Sequence, residues 1–180
     1  MKINKIIAFI ALGTLFAQCN SHEARKPISH TSGTFIKESI DRNKKLVDNE
    51  EQLIQAIIKK DTASTYLSST KGYWYKYDAK VTDSLPLPVR GDVVVYEYEI
   101  SDLDGKSIYT KEESKVQRYV VDKENIMMGL RYGLKQMKKG EQVSFYFPSH
   151  IAFGYHGDND EIGTNQPIIC KVKVNEIIKN

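Results

Sequence analysis

Gly129-Leu130-Arg131-Tyr132-Gly133-Leu134-Lys135-Gln136-Met137-Lys138-Lys139-Gly140-Glu141 separates two regions in which apolar and polar side chains alternate. Ile126, Met127, Leu130 and Leu134 fall at helical spacing, so Glu124 to Met137 is predicted to form one short helix, closed by Gly140. On the upstream side, Gly91-Asp92 opens a strand whose Val94, Tyr96, Tyr98 and Ile100 share one face, with Glu97 and Glu99 on the other. Asp104-Gly105 is a strong hairpin turn, and a further strand is expected from Val116 to Val121. On the downstream side, Val143, Phe145 and Phe147 alternate in one strand, and Ile168, Cys170, Val172 and Val174 line one face of the last. An additional strand from about Lys71 carries Tyr73, Trp74, Tyr75 and Tyr77, read as edge-strand packing, before Leu85-Pro86-Leu87-Pro88 forms an extended connection. The expected fold class is α+β: an antiparallel sheet wrapped around a short helix.

A helical segment precedes this domain. Residues 34–61 contain no Gly or Pro, and Ile36, Ile40, Val47, Ile54 and Ile58 recur at spacings of four and seven beside Leu46, Leu53 and Ile57. Val47-Asp48-Asn49 is read as a break into two helices, and Lys59 and Lys60 suit the negative end of the helix dipole. The apolar stripe is a docking face, with homodimer formation through these N-terminal helices as the expected use. Before it, residues 19–33 read as a tether. Residues 1–18 have the form of a signal peptide: Lys2 and Lys5, then an apolar run from Ile6 to Ala17 too short to span a bilayer. Cys19 ends that run and resembles the lipidated cysteine of a bacterial lipoprotein, although Gln18 replaces the usual small residue. The chain is therefore expected to be exported and anchored by lipid to a bacterial membrane, on the periplasmic side or at the outer membrane.

Charge and side-chain chemistry narrow the function. Twenty-six Lys and Arg against 23 Asp and Glu leave a net charge of +3, mixed evenly along the chain, which argues against nucleic acid as a partner. The two cysteines offer no disulfide framework, and Cys170 is expected as a small buried hydrophobe. His150, His156, Asp158, Asp160 and Glu161 cluster in sequence but match neither zinc nor calcium-loop spacing, so they read as a solvated loop, and no metal or cofactor is expected.

Four segments, in order, carry a family resemblance. Gly91-Asp92-Val93-Val94-Val95-Tyr96-Glu97-Tyr98 with Asp104-Gly105-Lys106 resembles the opening strand and turn of FKBP-type peptidyl-prolyl cis-trans isomerases. Gly129 to Glu141 resembles the family's helix segment, Ile151-Ala152-Phe153-Gly154 its "AYG" loop, and Ile162 and Gly163 to Gln166 its closing segment. The resemblance covers residues 88–180, and the whole-chain layout is similar to gliding-motility-associated FKBP lipoproteins. It implies isomerisation of Xaa-Pro bonds in exported proteins and proline-containing polypeptides as substrates.

The resemblance also implies a pocket. Tyr98 matches a wall tyrosine, Ile126 and Met127 the pair where a main-chain donor meets the substrate carbonyl, and Leu130 the floor. Phe153 matches the loop tyrosine, Ile162 the apolar flap residue and Ile108 a wall aromatic; Cys170 falls where the family often has Phe. Tyr109 stands where the family commonly has Asp, and Phe153 lacks the usual hydroxyl, so two polar groups are expected to be missing. By patterning alone, Tyr98, Ile126, Met127 and Leu130 also fit core packing. Two readings follow: an isomerase, or a catalytically weak FKBP-like binding module or chaperone.

Overall fold

The computed structural model describes residues 33–180; the expected signal peptide, tether and Cys19 lie outside the described residues. α1 (Gly33–Lys60) is one continuous helix, not two. Asp48 and Asn49 carry only small helix penalties, about 0.5 kcal/mol each, and the buried Glu50 and Ile54 tie the following turns to the domain. Its C-terminal half is amphipathic in the expected sense, whereas Ile40 and Leu53 are exposed. Among the described residues, no helix is long and apolar enough to cross a membrane.

Seven antiparallel strands follow: β1 (Leu67–Ser69), β2 (Tyr73–Ala79), β3 (Val93–Ser101), β4 (Ser107–Tyr109), β5 (Gln117–Val120), β6 (Gln142–Phe147) and β7 (Ile168–Ile178). Their order is β1-β2-β6-β7-β3-β4, with β5 also pairing β3. β2 is thus not an edge strand: the short β1 covers its outer side, and Tyr73 is fully buried. Tyr73 packs edge-on against Phe145 and Phe147, so the aromatic run is core at its start. α2 (Lys111–Ser114) is a single turn after β4, and α3 (Met128–Leu134) is shorter than expected. Glu124 lies outside α3 because its carboxylate accepts from the Val120 amide, closing the turn after β5 instead.

α3 lies against β6 with almost no gap. Gly129 and Gly133, one helical turn apart, face the rings of Phe147 and Phe145, which stack at 5.3 Å. A Cβ at either glycine would come within 2.7 Å of a ring carbon. The repeated glycine therefore serves close approach of helix and sheet. Around this contact, Val94, Tyr96, Ile100, Leu134, Met137, Val143 and Val172 complete one core.

Buried carboxylates fasten the connections. Glu141 accepts from the amides of Val81 (3.2 Å) and Lys138 (2.8 Å). Asp92 takes the Val89 amide and the Lys179 ammonium, both at 2.8 Å. Glu50 on α1 accepts from the amide and hydroxyl of Ser149, each at 2.7 Å.

Candidate functional site

β3 sets out the floor of a cavity by its two-residue period. Tyr98 and Ile100 project to the same side, and Ile100 is paired with Cys170 of β7 on one flank and Tyr109 of β4 on the other. This register brings Tyr109 beside Ile100 although eight residues and a hairpin separate them in sequence. After β4, Thr110 caps α2. Its hydroxyl accepts from the Glu113 amide while the Glu113 carboxylate accepts from the Thr110 amide (2.8 Å). That capping box places Glu113 and Ser114 on the rim. The loop after β6 supplies the opposite wall.

The resulting cavity, about 320 Å³, is lined by Tyr98, Ile100, Tyr109, Glu113, Ser114, Gln117, Phe153 and Asp158. A larger depression, about 840 Å³, runs between α1 and the loop after β6, lined by Arg42, Leu46, His150 and Tyr155 among others. Leu46, Val47 and Tyr155 give it apolar surface, but none of the residues expected at the site borders it.

Of the residues expected at the site, Tyr98, Tyr109 and Phe153 border the cavity directly. Leu130, Ile162 and Cys170 are buried in the same cluster, at 4%, 2% and 0% exposure, and support the walls from behind. Ile108, Ile126 and Met127 are half-buried and pack against that cluster. Met127 is the N-cap residue of α3, and no side chain caps it. First-turn amides of a helix have no intrahelical acceptor, so this end can offer main-chain donors.

The pocket is more polar than the sequence suggests. Tyr109 does not leave a polar gap: its hydroxyl donates to Asp158 Oδ2 at 2.6 Å. The Asp158 carboxylate pushes the Tyr109 phenol up to about 12. Burial opposes ionisation of Asp158, yet hydrogen bonds from Tyr109 and from the amides of Asp160 and Ile162 hold its carboxyl below the usual value. Asp158 is thus an organised member of the site rather than part of a solvated loop. Burial pushes the phenol of Tyr98 up, and burial does the same to the Cys170 thiol. At neutral pH the walls are therefore apolar or neutral, except for the carboxylates of Asp158 and Glu113.

Five lining residues were missed by sequence reasoning. Ile100 was legible, since it shares the Tyr98 face. Glu113 and Ser114 were legible in part, because Thr110-x-x-Glu113 is a capping-box signature. Gln117 and Asp158 have no local signal.

A family model described as FKBP-type peptidyl-prolyl cis-trans isomerase matches residues 86–175, half of the chain. The chain is 26% identical over 124 residues to a probable FKBP-type peptidyl-prolyl cis-trans isomerase FkpA of Neisseria meningitidis, covering 68% of this chain and 44% of that protein. It is also 26% identical over 100 residues to human peptidyl-prolyl cis-trans isomerase FKBP9, covering 55% of this chain and 18% of FKBP9. The chain thus spans less than half the length of these curated relatives. Among solved structures, a peptidyl-prolyl cis-trans isomerase from Pseudomonas syringae pv. tomato aligns with a TM-score of 0.59 at 18% identity, over 76% of this chain and 96% of that one. FkpA from Escherichia coli aligns with a TM-score of 0.59 at 20% identity, over 99% of this chain and 83% of that one. At these identities the two structures establish the fold.

Proposed function

Because this chain belongs to the FKBP-type peptidyl-prolyl cis-trans isomerase family, we propose that it accelerates rotation about Xaa-Pro bonds in polypeptide substrates. The observation that carries the reading is the cavity walled by Tyr98, Ile100 and Phe153, backed by Leu130, Ile162 and Cys170. Rotation about such a bond meets a barrier of about 18–20 kcal/mol because the amide must give up its resonance. An apolar enclosure favours the twisted amide, whose charge separation is smaller than that of the planar form. The step needs neither a nucleophile nor a metal. The uncapped start of α3 at Met127 supports the assignment of a main-chain donor to the substrate carbonyl.

The test is the cis-to-trans rate of a proline tetrapeptide with the purified chain. Acceleration above the spontaneous rate supports the enzyme. Saturable peptide binding with no acceleration supports instead the binding-module reading, which the Phe153 ring without a hydroxyl favours.

Export and lipid anchoring extend this proposal. Lys2, Lys5, the apolar run from Ile6 to Ala17 and Cys19 support them. Incorporation of labelled fatty acid should vanish in Cys19→Ala. The exposed Ile40 and Leu53 on α1 support self-association through the N-terminal helices, which sedimentation of the chain with both changed to Ser would test. The resemblance of the layout to gliding-motility-associated lipoproteins is the support for clients among motility proteins; loss of gliding on gene deletion is the corresponding measurement.

A further inference from the structure

The loop after β6 carries Phe153 and Ile162, two residues of the pocket and its support, and one carboxylate organises its 158–162 turn. Asp158 Oδ1 accepts from the amides of Asp160 and Ile162, both at 2.9 Å. The Asp158 amide donates to the Ile162 carbonyl at 3.2 Å. Gly157 sits at φ 65°, and a Cβ there would collide with the Ile162 carbonyl, so the two arms of the turn lie in direct contact.

Attachment of this turn to the sheet is sparse. Among the described residues, the hydrogen bonds between residues 157–166 and the strands converge on one atom, the Tyr109 hydroxyl. It donates to Asp158 Oδ2 at 2.6 Å, lies 3.4 Å from Asp160 Oδ2, and accepts from the Glu161 amide at 3.3 Å. Tyr109 itself is fixed by pairing with Ile100 on the cavity floor. The remaining attachment is the apolar packing of Phe153 and Ile162, which is non-directional.

We propose that Tyr109 and Asp158 form a latch that holds the 157–163 turn against β4, making Tyr109 a positioning residue that sets the pocket's affinity for proline-containing segments. The proposal rests on the prolyl-pocket reading above. A closed latch keeps Phe153 and Ile162 in place before substrate arrives, so binding does not have to order the wall. Both partners stay in their bonding forms across the neutral range, since the phenol is pushed up and the carboxyl held down.

Tyr109→Phe in the full chain keeps the ring and deletes the hydroxyl. Hydrogen exchange at the amides of Asp160 to Ile162 should quicken, with the amides of β3, β6 and β7 unchanged. The Kd for a proline tetrapeptide, followed by NMR titration, should rise about two- to tenfold, the range of one hydrogen bond. Asp158→Ala should weaken binding further, because the turn also loses its internal acceptor. Asp158→Asn should recover part of that loss, since its amide oxygen can still accept from the loop, and adding Tyr109→Phe to it should cost less than in the wild type. Unchanged exchange in Tyr109→Phe overturns the latch, as does faster exchange with an unaltered Kd. A wild-type chain that binds the peptide without speeding isomerisation would sink the enzyme reading, yet the Kd comparison would still decide the latch. A wild-type chain that binds no proline peptide rejects both.

Discussion

Gly133 lies directly against the ring of Phe145: a Cβ at this position would stand 2.7 Å from Cζ. Two effects oppose each other in Gly133→Ala. The alanine gains about 0.5–1 kcal/mol of helix propensity. Against that, Phe145 is stacked on Phe147 and edge-on to Tyr73, so its ring cannot yield without disturbing both neighbours. Overpacking of this kind costs about 1–3 kcal/mol and wins. Urea denaturation should show a lower midpoint for Gly133→Ala.

Glu50 and Ser149 join α1 to the end of β6 across 99 residues of sequence. Replacing Glu50 by Ala leaves the buried Ser149 amide and hydroxyl without an acceptor. The expected loss is about 1–3 kcal/mol. Hydrogen exchange should show it first in the C-terminal half of α1, with β3 and β7 still protected.

Tyr98 borders the cavity and stacks on Tyr96 at 6.0 Å. Tyr98→Ala removes a wall that the proline ring would contact. Losing about 1.4 kcal/mol of contact is a tenfold loss of affinity. Peptide binding and isomerisation should fall at least about that far, while circular dichroism retains the sheet. Wild-type binding in a folded Tyr98→Ala chain would move the site elsewhere.

The Tyr109–Asp158 contact has a defined pH window. Asp158 has a folded pKa below its ordinary 3.8, so its contribution is present above that value and lost as the pH falls through the folded one. Tyr109 is raised from 10.0 to about 12, so its contribution is intact below 10 and lost as the pH climbs through about 12. Protection of the Glu161 and Ile162 amides, normalised for intrinsic exchange, should therefore be flat between about pH 5 and 9 and drop on either side.

Cys170 is wholly buried on β7 between Ile100 and Phe145, and burial pushes its thiol up. A thiol held protonated and out of reach is inert to alkylation. Labelling of the Cys170 peptide, read by mass spectrometry, should track global unfolding in denaturant. Fast labelling of the native chain would contradict the burial.

The sequence determined by itself whatever depends on neighbours along the chain. The period-two alternation of Val94 to Ile100 and of Ile168 to Val174, the Asp104-Gly105 turn and the Gly129/Gly133 spacing are local consequences of backbone geometry, and they specify the sheet and its inserted helix. The continuity of α1 was decided by tertiary structure, because burial of Glu50 and Ile54 outweighs the weak preferences of Asp48 and Asn49. β2 became an interior strand only because β1, three residues long, found its free side; so short a strand leaves too few alternations to register. The polar half of the site came from the fold as well. Asp158 reaches Tyr109 over 49 residues from an aperiodic turn. Only closure of that turn, through hydrogen bonds between groups distant in sequence, places a carboxylate where the alternation of β3 and β4 had already set an aromatic wall.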